Sequence, residues 1–403
     1  SLIPHPNFKP FFEKIFAGLP GSKTPSLIKE GEELTGEMGG GSVNPERAPD
    51  AEQHERQFCA GFETTLATLK ANPEDMARRI EALRHSTACE GILQKLDTYF
   101  TPEHWEMTAV LQAYDERTFI HSLNVARFVY DMTSGGGETE TYLRQRVNME
   151  ESSLQELYTA ALFHDIGKTA IPCDILHDHQ TRRDWAHRAN TWAEQHDQPL
   201  FFDQATLGTA EETDLDHYFM RVHATKGYDP LNLVPIQEVF DEHTIKELEA
   251  HGIPGTATFR EVLNRHEIAT KAILRSRKMY IASDIASHHH DYEHRPIRSE
   301  RYPTEVSAVR LGFELSILRS MDVYEALTSE NRSYKGAYHP LIALEILVRE
   351  AEIDFTEPEL TRYVVRDLYK KEQARSDDHF ANLPPESREA KALQKVLEFI
   401  RSS

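Results

Sequence analysis

The chain has 403 residues, of which 39% are hydrophobic and 28% charged, as is usual for a globular protein with a sizeable core. Its formal net charge of −21 would repel a polyanion, so we expect no binding to a nucleic acid polymer. No apolar run approaches the roughly 20 residues that cross a bilayer, and the N-terminus lacks a signal-peptide pattern. The three cysteines show no CxxC spacing, so we expect a cytoplasmic protein that does not bind membranes.

The N-terminal quarter of the chain has a helical pattern. Residues 1–50 end in a Gly/Pro/Ser-rich run, which is typical of a linker or flexible loop. Apolar residues then recur at helical spacing from about 51 to 98, and Asn72-Pro73 separates two helices, with the proline near the start of the second. We interpret residues 1–100 as a helical N-terminal module with a Gly-rich linker.

The remainder of the chain is also predicted to be helical. A helical stretch runs from 104 to about 132, a glycine run interrupts it, and another helix begins near residue 151. Residues 173–258 are polar and partly helical, which indicates an insertion. Since neither βαβ alternation nor a hairpin signal is present, we predict an all-α fold. We place the main domain at 101–375 and a C-terminal charged helix at 376–403.

Side chains that can bind metal recur on or at the ends of these helices. In chain order they are His121, the adjacent pair His164-Asp165, His266, the run His288-His289-His290, and Asp322. Imidazole and carboxylate ligands without a thiolate set favour divalent transition metals. Because a carboxylate has two oxygens, Asp165 can bridge two ions while His164 binds one of them. Each residue alone is explained as readily by a surface histidine or a helix-end charge, so the prediction depends on the ordered set.

Several of these segments resemble one known family. AALFHDIGK, around His164-Asp165, resembles the signature of the HD superfamily of metal-dependent phosphohydrolases. HS-x-x-VA at His121, HEIATKAIL at His266, the histidine pair, and MDVYEALTSENRSYK at Asp322 are similar to the HD-GYP branch. The resemblance covers roughly 108–350. It implies an HD-domain helical bundle and a phosphodiesterase acting on cyclic dinucleotides, chiefly cyclic di-GMP.

The resemblance also implies a ligand set for two divalent transition-metal ions. The implied ligands are His121, His164, Asp165, His266, His289, His290 and Asp322. Asp165 would bridge the two ions, and His288-His289 is the alternative register of the histidine pair. Iron or manganese is the expected metal, with zinc, cobalt and nickel as alternatives. Two ions of this kind would clamp a phosphoryl group and activate a water without a side-chain nucleophile.

Further residues would contact the water or the substrate. Lys168 would lie beside the metals and, with Asp165, is a candidate catalytic residue. Arg332 and Lys335 match a basic pair that grips substrate phosphate in the family. Tyr302 belongs to a degenerate GYP loop, in which Arg301 replaces the family's glycine. This replacement puts specificity for cyclic di-GMP in doubt but leaves the hydrolase site intact.

The positions at which this sequence agrees with the HD-GYP motifs, and those at which it differs from them, determine the expected number of metals and the expected function class. Arg117 stands where some family members have a glutamate for a third metal, and Glu116 is offset by one residue, so we expect two metals. We predict a metal-dependent phosphodiesterase whose partner is a small phosphate ester or nucleotide, and we leave a homodimer open. The alternatives are a nucleotide-sensing binding protein with a regulatory HD site and a di-iron HD-type oxygenase.

Overall fold

The structure is a computed structural model that describes most of the chain after residue 48. The described residues are 49–177, 180–250, 252–290, 305–329, 337–352, 355–375, 380 and 382–402. Helices dominate them and they contain no β-strand. The all-α class predicted from the sequence is therefore confirmed. None of the described helices combines the length and the apolar character that a membrane span requires.

Eighteen α-helices can be followed along the described residues. The first nine are α1 (Pro49–Lys70), α2 (Pro73–Arg84), α3 (Ala88–Leu96), α4 (Pro102–Tyr114), α5 (Glu116–Ser134), α6 (Glu138–Tyr142), α7 (Glu151–Phe163), α8 (Cys173–Leu176) and α9 (Arg182–Gln195). The others are α10 (Gln204–Thr209), α11 (Glu212–Lys226), α12 (Glu242–Ala250), α13 (Phe259–Ser276), α14 (Tyr280–Ala286), α15 (Glu305–Thr328), α16 (Pro340–Glu352), α17 (Pro358–Arg375) and α18 (Arg388–Arg401). A 3₁₀ turn at Ile166–Ala170 follows α7.

The prediction of one helix over 104–132 is wrong in one respect, because the helix is interrupted at Asp115. That residue has an extended backbone with φ −149° and ψ 109°, and its carboxylate accepts hydrogen bonds from the backbone N–H groups of Arg117 and Thr118. Such a side chain satisfies N–H groups that have no partner at the start of a helix. Asp115 therefore ends α4 and caps α5, which carries His121.

The first three helices share an apolar core with the helices that follow them. Phe62 of α1 and Leu93 of α3 belong to the same buried cluster as Leu157 of α7, Ile273 of α13 and Val396 of α18. Burying this surface is the main stabilising contribution to such a packing. The division into 1–100, 101–375 and 376–403 stays a prediction.

The segment predicted as an insertion has an apolar core of its own. Trp185, Phe202, Phe219 and Ile236 are buried together there. The amide of Asn190 donates a hydrogen bond of 2.8 Å to the carbonyl of Phe202, so this buried polar group is satisfied. The polar composition of residues 173–258 therefore coexists with a packed helical interior, and the insertion boundaries themselves stay a prediction.

Candidate metal centre

The structure brings all seven predicted metal ligands to one place. They come from α5, the end of α7, α13, the turn after α14, and α15. Three groups of these side chains have ligand atoms that all lie within 4.8 Å of one another. The groups are His121 with His164 and Asp165, His164 with His289 and Asp322, and His266 with His289 and His290. Overlapping membership joins the three groups into one cluster.

A close contact between the turn after α7 and helix α13 holds two parts of the cluster together. The N–H of Gly167 donates to the hydroxyl oxygen of Thr270 at 3.0 Å, and that hydroxyl donates to the carbonyl of His164 at 2.9 Å. A Cβ atom at position 167 would lie 1.9 Å from the carbonyl oxygen of His266. Only glycine allows this approach, which places His266 opposite the pair His164-Asp165.

The two oxygens of Asp165 face different histidines. Its Oδ2 lies 3.4 Å from Nε2 of His164 and 3.6 Å from Nε2 of His121. Its Oδ1 lies 3.5 Å from Nε2 of His266 and 3.9 Å from Nε2 of His289. Each oxygen thus has its own pair of imidazole nitrogens, which is the arrangement that a carboxylate bridging two ions requires.

Three of the histidines are oriented in the same way. In His164, His266 and His289 the Nδ1 atom hydrogen-bonds the backbone carbonyl three residues earlier, at 2.9, 2.5 and 2.5 Å. Since the carbonyl can only accept, Nδ1 carries the proton and Nε2 keeps its lone pair. The lone pairs are therefore available at the centre of the cluster, as in metal-bound histidines.

Two of these lone-pair nitrogens lack a partner in the part of the chain that the structure describes. Nε2 of His266 and Nε2 of His289 are buried and make no hydrogen bond. A buried polar atom without a partner costs about 1–3 kcal/mol, so such atoms mark a place where a ligand completes the structure. The donor set therefore fits divalent metal ions.

His121 is held differently from the other histidines. Its Nδ1 lies 2.5 Å from Oε2 of Glu325, and the other oxygen of Glu325 accepts a hydrogen bond from Asn124 at 3.2 Å. Its Nε2 lies 3.1 Å from Oδ1 of Asp322. Sequence reasoning missed Glu325, although a glutamate three residues after Asp322 on one helix lies on the same face.

The protonation states of the cluster suit metal binding. Burial opposes ionisation of Asp165, but the charge of Lys168 together with the contacts to His164 and His266 outweighs it and lowers the pKa of Asp165 well below the usual range. Burial lowers the pKa of His266 to about 4 and that of His289 to about 3. At neutral pH these residues are a carboxylate and two neutral imidazoles, the forms that coordinate metal.

In His121 the balance differs, because two carboxylates lie beside it. Burial lowers the pKa of His121, but hydrogen bonds to Asp322 and Glu325 outweigh this effect and raise it to about 9. Without metal, His121 therefore carries a proton at neutral pH. A metal ion held at its Nε2 would replace that proton.

The cluster is buried on most sides and accessible on one. His164 and Asp165 are 0% and 2% exposed, whereas His290 is exposed and the Lys168 side chain is 29% exposed. Nζ of Lys168 lies 2.5 Å from Oδ2 of Asp165. A ligand from solvent would therefore reach the cluster past Lys168 and His290.

The remaining predicted residues lie outside the cluster or outside the described residues. Nδ1 of His288 hydrogen-bonds the carbonyl of Asp284 at 2.6 Å, and His288 belongs to none of the three ligand groups. Glu116 and Arg117 are exposed at the start of α5. Tyr302, Arg332 and Lys335, as well as Arg301, lie outside the described residues, and their roles stay predictions, as does the histidine register.

Comparison with known proteins finds one family. Residues 118–201 match the family model of the HD domain. The match covers about a fifth of the chain and includes His121, His164, Asp165 and Lys168, while the other predicted ligands lie beyond it. Neither a curated protein nor a solved structure matches the chain. HD domains are typical of metal-dependent hydrolases, so the match supports an HD-superfamily, metal-dependent phosphohydrolase.

Proposed function

We propose that the protein is a phosphodiesterase that uses two metal ions to hydrolyse a cyclic dinucleotide such as cyclic di-GMP. The observation that carries the proposal is the position of Asp165, whose two oxygens each face a separate pair of imidazole Nε2 atoms. One carboxylate between two ligand sets is suited to hold two ions a few ångströms apart.

The residues around Asp165 divide into two ligand sets. On the Oδ2 side are His121, His164 and Asp322, and on the Oδ1 side are His266, His289 and His290. When bound there, divalent ions would lower the pKa of a shared water and neutralise charge on a phosphate. The carbonyl and carboxylate partners of the imidazoles fix the orientation of the rings before an ion binds.

Lys168 is the cation best placed to act on the substrate. Its ammonium group contacts Oδ2 of Asp165 and is partly exposed on the accessible side of the cluster. There it can hydrogen-bond a phosphate oxygen or orient the attacking water. Arg332 and Lys335 would bind the second phosphate group of the substrate, and Tyr302 would contact the substrate. These three assignments rest on the sequence motifs alone.

The choice of a cyclic dinucleotide rests on the HD-GYP-like motifs. The segment MDVYEALTSENRSYK supplies Asp322 and the basic pair Arg332 and Lys335, and HEIATKAIL supplies His266. Arg301, in place of a glycine, is the departure that bears on the substrate. For this reason the substrate test includes several classes of phosphate ester.

The decisive experiment combines metal analysis with a substrate panel. Purified protein from metal-replete expression should contain two transition-metal ions per chain, and it should cleave a cyclic dinucleotide faster than linear dinucleotides or mononucleotides. Asp165→Ala should abolish turnover, because the bridging carboxylate serves both ions. Tight nucleotide binding without cleavage would indicate a nucleotide sensor. Substrate-dependent oxygen consumption would indicate a di-iron oxygenase.

A further inference from the structure

A cavity lies beside the candidate metal centre, behind His121. Its volume is about 250 Å³, and residues from α5, α15, α16 and α17 line it. Glu325 is one of the lining residues. Because Glu325 contacts Nδ1 of His121 while the metal ligands meet at Nε2, the cavity and the metal-facing atoms lie on opposite edges of the imidazole ring. The cavity is therefore separate from the site at which a substrate would meet the metals.

A buried arginine lines this cavity. The side chain of Arg127 is only 9% exposed. Its Nε has no hydrogen-bond partner among the described residues. A guanidinium offers five N–H donors, and a buried one is normally paired on its open edges. Nε itself is closed to solvent, so an anion entering the cavity would bind the outer nitrogens of the guanidinium, one of which Glu90 now occupies.

The present partner of Arg127 is a carboxylate that solvent can reach. Nη1 of Arg127 lies 2.7 Å from Oε1 of Glu90, and the Glu90 side chain is 58% exposed. The same oxygen lies 3.8 Å from Nη2 of Arg375, a 47% exposed residue that also lines the cavity. Nη1 of Arg375 also pairs with Glu372 at 3.2 Å. An anion from solvent would therefore compete with Glu90 for Arg127 and mainly with Glu372 for Arg375.

The backbone that presents Glu90 is strained. Cys89, Glu90 and Gly91 have φ values of 49°, 60° and 68°, all in the left-handed region. Two of them carry a Cβ atom, for which this conformation is unfavourable, and such strain persists only where the surroundings enforce it. The ion pairs of Glu90 with Arg127 and Arg375 help to hold this turn. The energetic cost of breaking them would be partly offset because the strained backbone could then relax.

The size and the lining of the cavity define the class of occupant. Sites for drug-sized ligands span roughly 300–1,000 Å³, so this cavity takes a smaller molecule than a cyclic dinucleotide. Arg127 and Arg375 select an anionic group, whereas the carboxylates of Glu325 and Glu372 accept hydrogen bonds from donors on the same molecule. A compact organic anion with hydrogen-bond donors, either a carboxylate or a phosphate monoester, satisfies both requirements.

The cavity also has a direct route to a metal ligand. Glu325 and Asn124 both line it. One oxygen of Glu325 accepts a hydrogen bond from Asn124, and the other contacts Nδ1 of His121. A carboxylate bound to the far nitrogen of a metal-binding histidine sets its orientation and basicity. We propose that the cavity is a regulatory site for a compact organic anion, which displaces Glu90 from Arg127 and acts on the metal centre through Glu325 and His121. Only the second half of this proposal rests on the proposed function.

The binding half is tested by calorimetry on the metal-free protein, in which a probe cannot bind to metal. The probes are inorganic phosphate alone, malate as a carboxylate with a hydroxyl donor, and glycerol 3-phosphate as a phosphate monoester with hydroxyl donors, so that the two sources of the anionic group are distinguished. Glu90→Gln should tighten binding of the preferred probe about tenfold, because the internal competitor loses its charge. Arg375→Ala should weaken it by a similar factor. Arg127→Gln should weaken it further where the variant folds.

A matched control lies on the adjacent helix α16. Arg349 is 53% exposed and pairs with Glu345, so Arg349→Ala removes a similar surface charge outside the cavity and should leave binding unchanged. Absence of binding in both wild type and Glu90→Gln would overturn the proposal. Equal affinities in wild type, Glu90→Gln and Arg375→Ala would also overturn it, since the probe would then bind elsewhere.

The coupling half is tested on the cobalt-loaded protein. The visible spectrum of bound Co²⁺ should change as the preferred probe saturates, and the change should occur at a lower probe concentration in Glu90→Gln than in wild type. A spectral change at the same concentration in both proteins would show direct binding to the metal, against the proposal. The calorimetric result does not depend on hydrolase activity, so loss of the proposed function would leave it interpretable.

Discussion

Oδ1 of Asp165 lies 3.5 Å from Nε2 of His266, a residue 101 positions later in the chain, while Oδ2 of Asp165 faces His121 and His164. The two sides of this carboxylate therefore depend on helices from different parts of the sequence. One side is completed by α5 and α7 and the other by α13. If each side holds one metal ion, as proposed, this separation predicts that either ion can be lost without the other.

Metal content should follow the ligand sets. We expect two ions per chain in the wild type, about one in His266→Ala, and fewer than one in Asp165→Ala, because only Asp165 is shared by both sets. The check is the number of metal ions per chain in protein purified at neutral pH. Elemental mass spectrometry gives the metal concentration, and the protein concentration is measured in parallel.

His288 offers a neighbouring control for this series. Its Nδ1 binds a backbone carbonyl and it belongs to none of the ligand groups, so His288→Ala should retain two ions. If His288→Ala lost an ion while His290→Ala kept both, the alternative histidine register would be correct. Two ions in Asp165→Ala would contradict the bridging role.

The sequence could reveal the ligands but not every contact behind them. His164-Asp165, His266 and Asp322 stand in short motifs whose order could be recognised, and the structure brings them together. The contact between Glu325 and His121 joins residues 204 positions apart, and no local pattern reports such a pairing. The break at Asp115 was missed because the apolar periodicity continues across it, and the aspartate acts there as an N-cap.

The segment 173–258, predicted as an insertion, shows a second limit of sequence reasoning. Its high content of His, Asp and Glu suggested a mainly polar segment, yet Trp185, Phe202 and Phe219 are buried there in one apolar cluster. A few apolar residues at well-spaced positions suffice for a small helical core. The overall composition of a segment does not show where such residues lie, so it does not reveal this core. The packing of those side chains is decided by tertiary contacts rather than by local propensity.

Gly167 is predicted to be indispensable for the site. In Gly167→Ala the new Cβ would lie 1.9 Å from the carbonyl oxygen of His266 and 2.5 Å from the amide nitrogen of Thr270. Both obstacles are backbone atoms, so α13 must move away from the turn after α7. We expect a loss of about 3 kcal/mol or more in the free energy of unfolding, together with loss of metal at His266.

The contrasting variant is Gly208→Ala. Gly208 lies within α10, and among the described residues outside its own helix no atom lies within 4 Å of the added Cβ. The substitution should therefore stabilise the protein by up to about 1 kcal/mol through helix propensity. Chemical denaturation of the two variants beside wild type measures both effects. A stable, metal-replete Gly167→Ala protein would refute the close packing of α13 on this turn.

Glu325 should control metal affinity at His121. In Glu325→Gln the side chain keeps its shape but loses the charge that supports the imidazole, so we expect metal affinity to fall about 10–100-fold. Competition with a chelator of known affinity measures it. Glu345→Gln, at a buried glutamate that pairs with Arg349 on α16, should leave metal affinity unchanged; an equal loss in both variants would argue against a specific role of Glu325.

His104 should make the fold sensitive to acid in a defined range. It is 5% exposed, accepts a hydrogen bond from the N–H of Thr101 at Nδ1, and lies 3.0 Å from the hydroxyl of Thr159 at Nε2. Burial lowers its pKa from 6.5 to about 4. The unfolded chain therefore binds the proton more readily than the folded one between these two values, and stability must fall as pH decreases through this range.

The size of this effect follows from the two pKa values. The stabilising contribution of neutral His104 is complete above pH 6.5, and up to about 3 kcal/mol is lost by pH 4. His266 and His289 have lowered pKa values as well and titrate in the same range in metal-free protein, so a single variant must isolate His104. His104→Gln should make the pH dependence of the free energy of unfolding between 6.5 and 4 less steep than in wild type, whereas His85→Gln, at a site 76% exposed, should leave the slope unchanged. Identical slopes in His104→Gln and wild type would show that His104 is not the buried group that titrates.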